Sequence, residues 1–269
     1  MKSKYIKMFS DEERQLKGKL DVLFKEWKKS VGEPENCWFV PDGFYPNYLS
    51  QRPRILYIGR DSYCLYGTDD ENGEKTYIEK FIRQYVEGVM DKGRSIDRIK
   101  FHKMLIKVAY GLIHERTWRK IPHASEICAG GRVFEKMSFA FMNLCKWSHD
   151  WSNEKSGDDS TGWAADWGSI NRFVDLSVTE KRNFIFEEIG LLEPDVIIAM
   201  NFGKERIQQL FDVGEPIEKR ADCYVYPLTI SKKCLLLDPW HFSATNKSED
   251  KNIYAPLSRM SKKYKRCYM

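Results

Sequence analysis

Two rhythms of apolar residues run along the chain. Leu16, Leu20, Leu23, Phe24 and Trp27 stand at helical intervals behind Ser10 and Glu13, which have the spacing of a capping box, so a first amphipathic helix is predicted to run to about Gly32. Tyr77, Phe81, Ile82, Tyr85 and Val89, then Met104, Leu105, Val108 and Leu112, keep the same period with a break near Gly93, and predict two more helices. Ser177 and Glu180 repeat the capping spacing ahead of Phe184, Ile185 and Ile189, for a helix ending at Gly190, and residues 204–211 predict another. Short β-branched and aromatic runs at 54–58, 138–144, 195–200, 224–228 and 234–237 read as strands. Strands separated by helical segments of this length need crossover connections. The pattern therefore predicts an α/β fold with a mainly parallel sheet covered on both faces. Residues 34–53 read as an irregular connection, and the polar stretch 148–168 as an exposed loop with no assigned role.

Composition supports a real core. The chain has 269 residues, 42% hydrophobic, 14% aromatic and 31% charged, which excludes a disordered or low-complexity polypeptide. No Pro/Gly/Ser-rich linker divides it. A single domain over 1–269 is expected, with an N-terminal helical extension over about 10–32 and a basic C-terminal tail over about 259–269. The run 196–200 is far short of the roughly 20 apolar residues that cross a bilayer, and Ser10, Asp11, Glu12 and Glu13 interrupt any signal peptide, so a cytoplasmic protein without membrane attachment is expected. Seven cysteines, with no CxxC pair, indicate neither a disulfide framework nor a cysteine-rich metal site.

Charge adds a little. The net charge is +5, and Arg259, Lys262, Lys263, Lys265 and Arg266 crowd the C-terminus with Tyr264 and Tyr268 interleaved. Such a mixture can grip a nucleic-acid backbone, although a solubilising tail is the simpler reading.

In an open parallel sheet, ligands bind beyond the carboxyl ends of the strands. Here those ends are polar: Gly59-Arg60-Asp61-Ser62-Tyr63-Cys64 after the first strand, Asn143-Leu144-Cys145-Lys146 at the second, Asn201-Phe202-Gly203 at the third and Asp238-Pro239-Trp240-His241-Phe242-Ser243 at the last. Several common motifs fail. No GxGxxG follows the first strand, Gly73 and Lys75 are too close for a P-loop, Trp118 stands where a zincin needs its second histidine after His114-Glu115, and no GxSxG elbow occurs.

The strand-end motifs resemble those of the uracil-DNA glycosylase superfamily. Gly59-Arg60-Asp61-Ser62-Tyr63-Cys64 looks like the family's Gly-Gln-Asp-Pro-Tyr-His, and His241-Phe242-Ser243 looks like its His-Pro-Ser. Asn143-Leu144-Cys145-Lys146 is similar to the Asn-x-x-Lys of the iron-sulfur branch, and the stretch 193–203 is similar to its third strand. The resemblance spans roughly residues 50–250, in order. It implies a three-layer α/β/α domain with a central parallel sheet of about four strands, acting as a monofunctional DNA glycosylase on uracil or a related lesion base. No metal or redox cofactor is implied.

The residue chemistry suits that reaction. Breaking an N-glycosidic bond puts positive charge on the sugar and negative charge on the leaving base. Asp61 is the candidate to orient water and stabilise the cation, and His241 to donate to the base oxygen. The Asn143 amide can read a pyrimidine edge, while Gly59 and Arg60 line the pocket. By resemblance, Tyr63 closes the pocket against a 5-methyl group, Ser243 holds a phosphate, and Lys146 and Thr245 contact nucleic acid. Taken singly, Asp61 serves equally as a turn cap, and the others read as structural or solvated residues. Their joint order makes them a site.

Departures from the family pattern bear on substrate and partner. Ser62 replaces a proline, Cys64 a histidine, and Thr245 stands where a leucine wedge would be, so DNA that is single-stranded or mismatched is the expected partner. No close cysteine pair exists to hold a cluster. Two other classes stay open: a non-catalytic nucleic-acid-binding protein on the same fold, and a hydrolase of free nucleosides or another small molecule.

Overall fold

The computed structural model describes residues 3–35, 37–62, 76–149, 166–220 and 223–268. Helix α1 (Asp11–Val31) begins as its sequence predicts: the Glu13 N–H donates to Ser10 Oγ at 3.2 Å and the Ser10 N–H to Glu13 Oε2 at 3.0 Å. Gly32, at φ 69°, ends it. Its apolar stripe belongs to the core, contrary to the expected N-terminal extension. Trp27 is fully buried, stacks on Phe184 at 5.7 Å and donates its indole N–H to Ser177 Oγ at 2.7 Å.

The main elements after it are strand β1 (Gly43–Phe44), strand β2 (Ile55–Asp61), helix α2 (Tyr77–Glu87), helix α3 (Lys100–Ile113) and strand β3 (Ala140–Cys145), with shorter pieces between them. Helix α4 (Trp167–Ser177), helix α5 (Phe184–Leu192), strand β4 (Val196–Ala199) and helix α6 (Lys204–Phe211) come next. Strands β5 (Glu218–Arg220), β6 (Cys223–Thr229) and β7 (Lys233–Asp238) and helix α7 (Ala255–Tyr268) complete the order. One sheet runs β1-β3-β2-β4-β7-β6-β5. Its four central strands, β3, β2, β4 and β7, are parallel, and β1, β6 and β5 pair antiparallel at the edges.

The sheet therefore has seven strands and not about four. The parallel centre is the part that hydrophobic patterning reveals, because Ile55 to Ile58, Val196 to Ala199 and Leu235 to Leu237 are all fully buried and form unbroken apolar runs. Edge strands of two or three residues carry too little pattern to be seen. Helices cover both faces. On one, Tyr57 Oη donates to the Leu105 carbonyl of α3 at 3.0 Å, and α7 packs on β6 and β7. On the other, α4 packs on β3, α1 packs on α4 and α5, and the stacked rings of Phe186 and Phe211 join α5 to α6.

Three further expectations change. Ser177 closes α4 and does not cap α5, whose cap is Asn183: its Oδ1 accepts the Phe186 N–H at 3.0 Å. The predicted irregular connection holds β1 and the strand Cys37–Phe39, which pairs with Trp147–His149. The basic C-terminal tail is a helix. Leu257 and Met260 of α7 are buried, while Lys263 and Lys265 on its outer face pair with Glu218 and Glu115. Among the described residues no helix is long and apolar enough to cross a membrane.

Because Trp27 joins α1 to α4, α5 and the strand Cys37–Phe39, Trp27→Ala should lower unfolding free energy by about 3–5 kcal/mol. Guanidinium denaturation measures this, and a loss below about 1 kcal/mol would show that α1 is not integral to the core.

Candidate active site

Neighbouring strands lie about 4.8 Å apart, so the carboxyl ends of β3, β2, β4 and β7 fall within about 15 Å of one another. Gly59 sits opposite Asn143, and Asp61 opposite Cys145. A side chain at Gly59 could not be accommodated: its Cβ would stand 2.5 Å from Asn143 Oδ1 and 3.0 Å from the Phe141 ring. The glycine lets the Asn143 amide lie flat against β2, where Nδ2 donates to Ser62 Oγ at 3.2 Å. Asn143 is only 2% exposed.

Alternation along β2 directs Tyr57, Gly59 and half-buried Asp61 toward the α3 face and Arg60 toward the other. His241, just past β7, lies on the α3 side as well. Its ring stacks on Phe101 of α3, with centroids 5.7 Å apart and planes 19° from parallel. The Ser243 N–H donates to His241 Nδ1 at 3.2 Å, so the neutral ring carries its proton on Nε2. Burial, and then the charge of Arg60, depress its pKa to about 4.

Lys146, expected to contact nucleic acid, is turned into the core. Its side chain is fully buried, with Nζ 2.7 Å from Asp42 Oδ1 and 2.8 Å from Glu188 Oε2. Burial lowers the pKa of this ammonium, but Asp42 and Glu188 together outweigh that and hold it above the ordinary lysine value. Burial and the neighbouring Asp42 push the Glu188 carboxyl well above the ordinary carboxylate value, against the pull of Lys146. The three groups form one buried cluster. It also grips the specificity candidate by its main chain: the Asn143 N–H donates to Asp42, and Lys146 Nζ donates to the Asn143 carbonyl at 3.0 Å.

A second clamp lies at the ends of β4 and β7. Asp238 accepts the N–H groups of Phe202 at 2.9 Å and Gly203 at 2.8 Å, in a turn where Asn201 and Gly203 both have positive φ. Burial raises Asp238 to about 6 against those hydrogen bonds and Arg60, so it is mostly ionised at neutral pH. Arg60 completes the turn by donating to the Asn201 carbonyl at 2.8 Å.

The chain matches no family model and no curated protein. Geometry alone therefore sorts the sequence-predicted residues. Gly59, Asp61, Asn143 and His241 share one side of the sheet edge, and Arg60 lies on the other. Ser243 and Thr245 are exposed on the loop after β7, which Lys100 pins by donating to the carbonyls of Ala244 and Lys247. Tyr63 lies outside the described residues, as does most of the predicted loop 148–168. Among the described residues no three His, Cys, Asp or Glu side chains gather as a metal site. A cavity of about 620 Å³, lined by Phe9, Arg14, Phe24, Lys28 and Phe39, lies along α1 and not at these strand ends.

Sequence reading missed Asp42, Phe101, Glu188 and Asp238. Asp42 looks like a turn residue between Pro41 and Gly43, Phe101 and Glu188 like ordinary helix positions, and Asp238 like the end of a strand. Only their placement beside Asn143 and His241 gives them a role.

Two measurements test this arrangement. Nitrogen-15 NMR of the histidines, with His241 assigned by its alanine variant, should show a neutral Nε2–H ring down to about pH 5; a midpoint near 6.5 would contradict its burial. Lys146→Met should cost about 3–5 kcal/mol in denaturant titration, since it strands buried Asp42. Glu188→Gln, which keeps the shape of a side chain whose charge burial opposes, should cost less than about 1 kcal/mol. Equal losses would mean that Glu188 is ionised in the folded protein.

Proposed function

We propose that this chain hydrolyses the N-glycosidic bond of uracil or a related lesion base in DNA, on a fold of the uracil-DNA glycosylase kind. The observation that carries this reading is the gathering of Asp61, Asn143 and a neutral, Nε2-protonated His241 on one side of the sheet edge. Each meets a different demand of the reaction.

As the bond between C1′ and the base nitrogen breaks, its electron pair leaves with the base and negative charge gathers on the pyrimidine oxygen. His241 donates from Nε2 to that oxygen. Phe101 fixes the plane of its ring, and the depressed pKa means that no proton must be lost before it serves as a neutral donor. The Asp61 carboxylate faces the cationic sugar and accepts a proton from the water that attacks C1′. Asn143, with its main chain held by Asp42 and Lys146, presents an amide of fixed orientation to the base edge. That amide is only 2% exposed, so a base reaches it only once the groups that cover it move.

A second reading, nucleic-acid binding without catalysis, draws on the same burial, because the Asn143 side chain already has a partner in Ser62. Oligonucleotides carrying uracil or other modified bases, incubated with the protein and then cleaved with alkali at abasic sites, distinguish the two. Base release is expected, faster from single-stranded or mismatched DNA than from paired DNA because Thr245 makes a poor wedge. Asp61→Asn and His241→Ala should each slow release at least about a hundredfold. Near-wild-type release by either variant would remove the proposed active site, and salt-sensitive binding without any release would favour the binding protein.

A further inference from the structure

On the α4 and α6 side of the same sheet edge, two guanidinium groups share one indole. The Arg206 guanidinium carbon is 3.9 Å from the centroid of Trp167, and that of Arg60 is 5.4 Å away. Arg60 comes from the end of β2, Arg206 from the first turn of α6 and Trp167 from the start of α4, so three separate elements converge. Phe202 packs its ring edge-on against the same indole at 6.0 Å.

The two arginines are engaged differently. Arg60 donates from Nη2 to the Asn201 carbonyl, while its Nε is buried with no hydrogen-bond partner. Burial is the largest influence on this guanidinium and lowers its pKa; the nearby Asp238 and Asp61 favour its charge, and Arg206 opposes it. Arg206 is exposed and makes no ion pair among the described residues; its one hydrogen bond there, to the Phe202 carbonyl, is long at 3.4 Å. Two like charges held together around an aromatic platform, one with a buried donor unsatisfied and the other with most donors free, are completed by an anion. Guanidinium forks match the oxygens of a phosphate better than any other common anion except a carboxylate.

We propose that Arg60, Trp167 and Arg206 form a phosphate-binding subsite for a nucleotide or nucleic-acid backbone. This subsite would hold the phosphate on one lip of the sheet edge while a base enters on the other lip, beside Asn143 and His241. The inference rests on the proposed nucleic-acid substrate and extends it by naming where the backbone is held. It also separates that role from the basic face of α7. Lys262 and Lys265 of that helix line a small hollow with Pro53, which leads into the amino-terminal end of β2, and with Glu115, away from the carboxyl ends of the strands.

The test is fluorescence anisotropy of a labelled single-stranded oligothymidylate with the full chain, titrated at several salt concentrations. Arg206→Gln should weaken binding about five- to tenfold near 0.1 M salt and flatten the log–log salt dependence by roughly 0.7, the value for one phosphate contact on a single strand. Trp167→Leu should weaken binding to a similar extent, with circular dichroism confirming that it folds. Lys262→Gln, at the far edge, should change neither quantity.

Competition with thymidine, thymidine monophosphate and inorganic phosphate identifies the source of the phosphate. Competition by the monophosphate alone points to free nucleotides, and competition by oligonucleotide only points to a polymer. Unchanged affinity and salt slope in Arg206→Gln, or a loss produced instead by Lys262→Gln, would overturn the proposal. Base release by the wild type with Arg206-independent binding would refute this subsite and leave the glycosylase reading intact. Arg206-dependent binding without base release would do the reverse.

Discussion

The fully buried ammonium of Lys146 is the constraint around which this molecule is arranged. An unpaired charge at that depth would cost several kcal/mol, so the fold must bring it an anion, and it does so from two directions. Asp42 arrives from the segment leading into β1, and Glu188 from α5 on the face of the sheet that α1 also covers. Two ionised carboxylates would overcompensate one lysine. Burial and Asp42 both raise the Glu188 carboxyl, which opposes a second negative charge beside the lysine. The same groups hold the main chain of Asn143 on both sides, which ties the most buried polar part of the structure to the strand end where chemistry is expected.

The opposite flank of the site depends on a different anion. Asp238 ends β7 and takes up the N–H groups of a turn whose positive φ angles leave them pointing inward. Arg60 closes the same turn from β2. The two clamps use carboxylates as main-chain acceptors rather than as reactive groups. That division sets them apart from half-buried Asp61 and the neutral imidazole of His241, which stand on the α3 side of the edge. It also explains why the strand ends are polar in a sheet whose centre is wholly apolar. The polarity is spent partly on holding loops in place, and only a minority of the polar residues remain available to a ligand.

Much of the architecture was legible from the chain. The capping box at Ser10 and Glu13, the period of α1, α2 and α3, and the apolar runs of β2, β3, β4, β6 and β7 all follow from local rules, because burial on one face or both leaves a periodic trace. Edge strands of two or three residues leave no such trace, and α7 was masked by the density of cations on its outer face. Ser177 misled because a serine three residues before a glutamate has the capping spacing wherever it stands. The structure shows that its hydroxyl accepts the Trp27 indole N–H and that Asn183 begins the helix.

For the site, the chain by itself determined which residue types end the four parallel strands, and with them the candidates Gly59, Asp61, Asn143 and His241. What it could not determine is which charge faces water. Lys146 and Arg60 each follow strand residues and look alike as solvated cations, yet one is sealed between Asp42 and Glu188 and the other lies against Trp167 at the rim. Strand order, set by pairings between residues far apart in sequence, decides that Gly59 meets Asn143 and that only β4 stands between β7 and β2. Local pattern records how each segment is buried. The partner of a buried charge is a property of the whole fold, because desolvation must be offset by whatever group the tertiary structure brings near, and no local rule names that group.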